Sequence, residues 1–224
     1  MERDKKILIS FKKRKRIMLA EDVFKEVRVD EISRIMQKFP LACIVTNTPD
    51  GLYATHIPLM SNGENILFGH VAIANELYTK VAEDQEVLCI FKGDDAYISA
   101  NYYPSKFDDH KKVPTWNYQV VHVHGKIKFL TDQKNKLAAL GRLTRQNEER
   151  LNGASAWKMS DAPKDYLMMM LDQLVVFEIQ VSRILAKSKL SQNREKHDFD
   201  GVIKALQMRV EDGVANRMLG LNRQ

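Results

Sequence analysis

The sequence predicts a mainly β protein with added helices, an antiparallel barrel rather than a doubly wound parallel sheet. Six or seven short β-rich runs are joined mostly by hairpin-like turns, and helical patterns interrupt the runs without alternating with them. Neither G-x-G-x-x-G nor G-x-x-x-x-G-K-[ST] occurs, which removes the familiar glycine-rich phosphate cradles.

The chain opens with charge. Residues 1–17 hold eight Lys and Arg against Glu2 and Asp4, and the rest of the chain is balanced, so the net +6 and the pI near 9.2 belong to this segment. It reads as a flexible basic extension, outside any domain or ahead of Met18 as a natural start. Any nucleic-acid contact is expected from it, because phosphate contacts dominate such binding. Its apolar stretch precedes most of its charge, the wrong order for a secretory signal, and no run approaches the roughly 18 apolar residues of a membrane span. Cys43 and Cys89 sit in apolar, strand-like runs, which suits reduced, buried thiols and a cytoplasmic location.

Ile32, Ile35, Met36 and Phe39 share one helical face after Asp30, and Pro40 stops that helix. "LACIVTNT" and "LYATHIPLM" flank Pro49-Asp50-Gly51 as a hairpin, and "NILFGHV" follows a turn at Ser61-Asn62-Gly63. Asn75 caps a short helix carrying Leu77, Tyr78 and Val81. "EVLCIF" and "AYISANYY" read as two strands around Gly93, residues 104–114 as a polar loop, and "VPTWNYQVVHVHG" as a strand. A long helix is expected from Asp132 to Leu151 on a broken stripe of Leu137, Leu140, Leu143 or Thr144, and Leu151. A second helical run near 163–171 carries Met168-Met169-Met170 as core, ahead of the strand "LVVFEIQV". From Asp198 a helical pattern runs to Val210, with Gly213 as the expected division. The domains expected are the extension 1–17, a barrel over 18–190, and a helical segment over 191–224 packed on it.

Several stretches carry polar or aromatic groups beyond what packing asks for. On a strand, Thr55, Ile57 and Leu59 share one face and Ala54 and His56 the other. "GHVAIAN", residues 69–75, joins a strand end to a helix start, a place that favours an anion as well as an ordinary cap. Tyr97, Tyr102, Tyr103, Trp116 and Tyr118 offer flat faces to a planar ligand, or fill barrel ends. His122 and His124 point one way, too few for a metal site, so no metal is expected. "KLSQNR", residues 189–194, is a polar turn whose two cations meet phosphate or water.

Together "GLYATHIPL", "GHVAIAN", "AYISANYYPSK", "VPTWNYQVVHVHG" and "KLSQNR" resemble, in that order over about residues 18–210, the PaiB family of FMN-binding split β-barrel proteins. The family is described as negative transcriptional regulators, and its barrel is similar to those of pyridoxamine-phosphate oxidases and flavin reductases. The resemblance implies an antiparallel split β-barrel and a homodimer with FMN between its subunits. Thr55 and His56 would then lie along the flavin, Gly69, His70 and Asn75 around its phosphate, and Trp116 and Asn117 would complete the groove. An FMN-dependent oxidoreductase, flavin reductase-like or haem-degrading, is the alternative, and a barrel that has lost its cofactor is the third reading. The family pattern G-H-x-A-R-A-N-P reads Ile73 and Glu76 here in place of its arginine and proline, which removes a charge-assisted phosphate contact and implies weaker flavin affinity. Asp94 and Ala100 also depart from the pattern.

Overall fold

The computed structural model describes residues 22–63, 65–209 and 212–221; the extension 1–17 lies outside them. The strands are β1 (Lys25–Glu26), β2 (Leu41–Thr48), β3 (Gly51–Pro58), β4 (Met60–Ser61), β5 (Ile66–Ala72), β6 (Glu86–Ile98), β7 (Thr115–Leu130) and β8 (Leu174–Lys189). The helices are α1 (Val29–Lys38), α2 (Glu76–Lys80), α3 (Lys106–Asp109), α4 (Gln133–Asn152), α5 (Lys164–Asp172), α6 (Lys196–Met208) and α7 (Asp212–Leu219).

The sheet order is β3-β2-β6-β7-β8-β5-β4, with β1 on β8, and among the described residues hydrogen bonding leaves it open between β3 and β4. The β2–β3 hairpin pairs Thr48 with Gly51 across Pro49-Asp50, and Gly51 takes φ 112°, a conformation that favours glycine.

The chain forms two compact units, and it passes from one to the other within α1 and the long strands. Among the described residues, the first comprises 22–32, 93–120 and 186–221, and the second comprises 33–92 and 121–185. The first has its core where α6 and α7 bring Phe199, Val202, Leu206, Val214 and Met218 onto Ala96, Ile98, Tyr103 and Leu190. In the second, Ile44, Ile57, Leu67, Phe91, Val123 and Phe177 are buried on the strands, and Phe68 and Val176 pack with Leu140, Leu143 and Leu171 of α4 and α5. Strand β8 is therefore buried on both faces at Val175–Phe177, which is why "LVVF" is an unbroken apolar run.

Several expectations are corrected. The two strands around Gly93 are one, β6, whose buried positions run 87, 89, 91, 93 and then change phase to 96 and 98. Residues 104–114 contain α3, ended by His110 at φ 54°. On α4, Leu137 and Leu151 face outward, and the buried stripe instead takes in Lys136, whose Nζ donates to the Leu171 carbonyl at 3.2 Å in the last turn of α5. Met168 packs on the core, whereas Met169 and Met170 are exposed. The α6–α7 break precedes Gly213, which lies inside α7; a Cβ there would stand 2.5 Å from Oδ1 of Asp94, so this glycine serves close packing.

Candidate functional site

Alternation along β3 sets the first two candidate residues apart. Tyr53 and Thr55 are half-buried and Ile57 is buried, while Leu52, Ala54 and His56 are exposed. Thr55 pairs with Ile44 and His56 with Cys43 on β2. The Thr55 and His56 side chains thus lie on opposite faces, and a ligand on one face meets only one of them.

On β5, Gly69 is buried, and a Cβ there would stand 2.9 Å from Cζ of Phe177 and 3.0 Å from Cδ2 of Leu59. Packing inside the second unit therefore demands this glycine. His70 faces the other way and pairs with Val176. Its Nδ1 is buried with no hydrogen-bond partner, and burial holds the imidazole below its ordinary pKa. The ring is kept neutral, with one nitrogen able to donate and the other to accept.

Beyond β5, Asn75 holds the turn into α2. Its Oδ1 accepts from the Leu77 N–H at 2.9 Å and from the Tyr53 hydroxyl at 3.3 Å, which brings the inner face of β3 to this corner. Ile73, where the family pattern has arginine, is partly exposed, and its N–H donates to the Gln173 carbonyl at 3.0 Å. Glu76 does not stand unbalanced: Lys80 reaches its Oε1 at 3.1 Å and Oδ2 of Asp50 at 2.8 Å. Hydrogen bonds to Asp50 and then Glu76 raise the Lys80 pKa.

In the first unit β7 alternates without a break. Asn117 and Gln119 point inward and are completely buried; Trp116 is 52% exposed and points outward. Asn117 Nδ2 donates to Ser191 Oγ at 2.9 Å, and that hydroxyl donates back to Asn117 Oδ1 at 3.1 Å. The Asn117 amide is thus engaged inside the unit. Gln119 Nε2 donates to Glu31 Oε1 at 2.6 Å and to Ser188 Oγ at 2.9 Å. The Trp116 ring stands edge-on to Tyr97, centroids 5.8 Å apart at 69°, and Tyr97 is itself half exposed. In the second unit His124 meets Arg183 at 3.3 Å.

The structure brings Asn75 to Tyr53, on the face that Thr55 shares, and Trp116 to Tyr97. Gly69 and His70 are neighbours on opposite faces, as are Trp116 and Asn117. Sequence reasoning missed the Asn117–Ser191 and Gln119–Glu31–Ser188 pairs. The available signal was the placing of Asn117 and Gln119 in phase with Val121 and Val123, the buried side of the strand.

Residues 18–183 match the family model described as "Putative FMN-binding domain". The chain is 35% identical over 189 residues to the Bacillus subtilis "Protease synthase and sporulation protein PAI 2", covering 82% of this chain and 86% of that one. Its fold is similar to that of an FAD and heme binding protein from Mycobacterium smegmatis, with a TM-score of 0.56 at 12% identity over 74% of this chain and 73% of the other. It is also similar to that of the flavocytochrome Anf3 from Azotobacter vinelandii, with a TM-score of 0.54 at 14% identity over 79% and 75% of the two chains.

Proposed function

The chain belongs to the PaiB-type FMN-binding domain family, and on that premise we propose that it holds FMN non-covalently at the seam of a homodimer and acts as a flavin-dependent regulator in the cytoplasm. The observation that carries the cofactor assignment is Nδ1 of His70, buried and unpartnered on a ring that burial keeps neutral. A buried polar atom left without a partner costs about 1–3 kcal/mol, and a polar group of a bound ligand removes that cost.

When bound, the flavin supplies redox chemistry, and the protein binds and orients it. In the second unit the candidate contacts are His70, half-buried on the side of β5 that α4 and α5 cover, for hydrogen bonding, and His56, exposed on β3; in the first unit the candidate contact is the exposed ring of Trp116, with Tyr97 edge-on to it. Thr55, Gly69, Asn75 and Asn117 act by fixing the backbone: Gly69 by close packing, Asn75 by holding the turn, Asn117 by anchoring β7 to Ser191, and Thr55 from the inner face of β3. With Ile73 in the arginine position and Lys80 held between two carboxylates, the phosphate end gains little charge at this corner, and FMN affinity is expected to be modest.

Support for the dimer comes from β2 and β3, whose outer side shows Leu41 at 59%, Leu52 at 81% and an exposed Ala54. An apolar edge of this kind favours cover by a second copy. Support for regulation comes from the Bacillus relative, whose name ties it to protease synthesis and sporulation.

Absorbance of the purified protein, mass spectrometry of whatever it releases, and titration with FMN test the reading. A yellow protein, or saturable uptake of FMN weakened about fivefold by His70→Leu, is expected, the size of one lost neutral hydrogen bond. A colourless protein that takes up no FMN overturns it. Turnover of a reduced nicotinamide with FMN would move the chain to the oxidoreductase class.

A further inference from the structure

We propose that the hollow between α4 and the segment 153–161, in the second unit, is a binding site for a free α-amino acid with an aromatic side chain. None of its residues is among the candidate flavin contacts, so the site stands apart from the flavin reading.

The hollow has a volume of about 370 Å³, in the ordinary range of small-molecule sites. Gly141, Arg145 and Glu149 line it from α4, and Trp157, Lys158 and Met159 from the facing segment. Packing does not ask for the glycine. At Gly69, Gly125 and Gly213 a Cβ would collide with a neighbour, whereas at Gly141 the nearest atom beyond its own helix backbone is Sδ of Met159, at 3.7 Å, an ordinary contact. A glycine inside a helix costs stability relative to alanine. What its missing side chain leaves is an open floor.

On the facing side the backbone is clamped and the indole is not. Asn152 Nδ2 at 2.7 Å and the Trp157 N–H at 3.1 Å both donate to Glu148 Oε2, and the Lys158 N–H donates to Asp161 Oδ2 at 2.9 Å. The Trp157 ring that these bonds position is 44% exposed, and among the described residues it meets no other ring and no hydrogen-bond partner. It offers a fixed flat face to an aromatic group.

Arg145 and Glu149 lie one turn apart on α4, a spacing at which opposite charges commonly pair, although arginine ahead of glutamate is the weaker order. Neither side chain has a partner among the described residues. A zwitterion answers both. Its carboxylate takes the guanidinium fork, with Lys158 adding positive charge, and its ammonium meets the Glu149 carboxylate. The same carboxylate opposes a polyanion, and so sets this site apart from one for phosphate.

Calorimetric titration of the full chain with L-phenylalanine, phenylacetate and phenethylamine tests the site. Saturable binding of L-phenylalanine is expected, with each single-charge analogue weaker by about tenfold or more, because each loses one charge-assisted contact. Arg145→Gln is expected to weaken L-phenylalanine about tenfold, and Glu149→Gln and Trp157→Leu about fivefold each. Arg142→Gln removes an exposed α4 cation that borders only a neighbouring hollow beside Met60 and Phe68, and it is expected to leave binding unchanged. Gly141→Leu fills the floor and is expected to abolish binding; Gly141→Ala is expected to raise the melting temperature, which checks that the helix itself accepts a side chain there. The proposal is overturned by no saturable binding of L-phenylalanine, by equal binding of phenylacetate, by equal losses in Arg142→Gln and Arg145→Gln, or by undiminished binding in Gly141→Leu.

Discussion

The buried side of β7 has two chemistries. In the first unit it presents Asn117 and Gln119, each wholly buried and each hydrogen-bonded to a partner from another element; in the second it presents Val121, Val123 and Ile127, with Gly125 among them. The alternation is the same throughout, and only the means of holding the strand differs. Directional bonds specify register in the polar stretch, and shape specifies it in the apolar one.

The difference is tested most severely at Gly125. A Cβ there would stand 2.5 Å from the Gln180 carbonyl oxygen and 2.6 Å from Cγ2 of Ile179. Gly125→Ala is expected to destabilise by about 3 kcal/mol, the upper end of overpacking costs, because backbone must move; chemical denaturation reads it. A loss under 1 kcal/mol would mean that the second unit is not held by close packing there.

On the polar side, Gln119→Leu leaves the Glu31 carboxylate without the amide that donates to it. A cost of about 2 kcal/mol is expected, recovered in part by Glu31→Gln in the same chain, and a double-mutant cycle measures the coupling. Additive effects would show that the pair contributes no register.

The smallest effect separates His70 from both. Its folded pKa is depressed by burial, so between that value and the unfolded value near 6.5 the unfolded chain binds more protons. The stability that His70 contributes is therefore present above the unfolded pKa and lost as pH falls through 6.5 toward the folded pKa. Urea unfolding at pH 7.5 and 5 should show this loss, reduced in His70→Gln; an unchanged difference would mean that the ring is not desolvated.

Much of the fold was legible in the sequence. The β2–β3 hairpin, the Asn75 cap and α4 each rest on local rules: a two-residue turn, an Asx cap and helical spacing. The failures lie where tertiary contact overrides local pattern. Gly93 reads as a break, yet β6 runs through it with a change of phase, and Gly213 reads as a helix end although close approach to Asp94 sets its need for glycine. The burial of Lys136 depends on a carbonyl that α5 supplies, which no local pattern shows. For the candidate site, residue types were legible but the faces they take were not. A one-residue difference in register decides whether Trp116 or Asn117 points outward, and the buried partners that decide it, Ser191 and Met218, lie far along the chain.

The most direct single measurement is sedimentation velocity of the FMN-loaded protein followed at the flavin absorbance. The flavin is expected to travel with one species of twice the 25.8 kDa chain mass, at one flavin per chain. Flavin left behind in the meniscus, or carried by a species of single chain mass, would contradict a cofactor held at a homodimer seam.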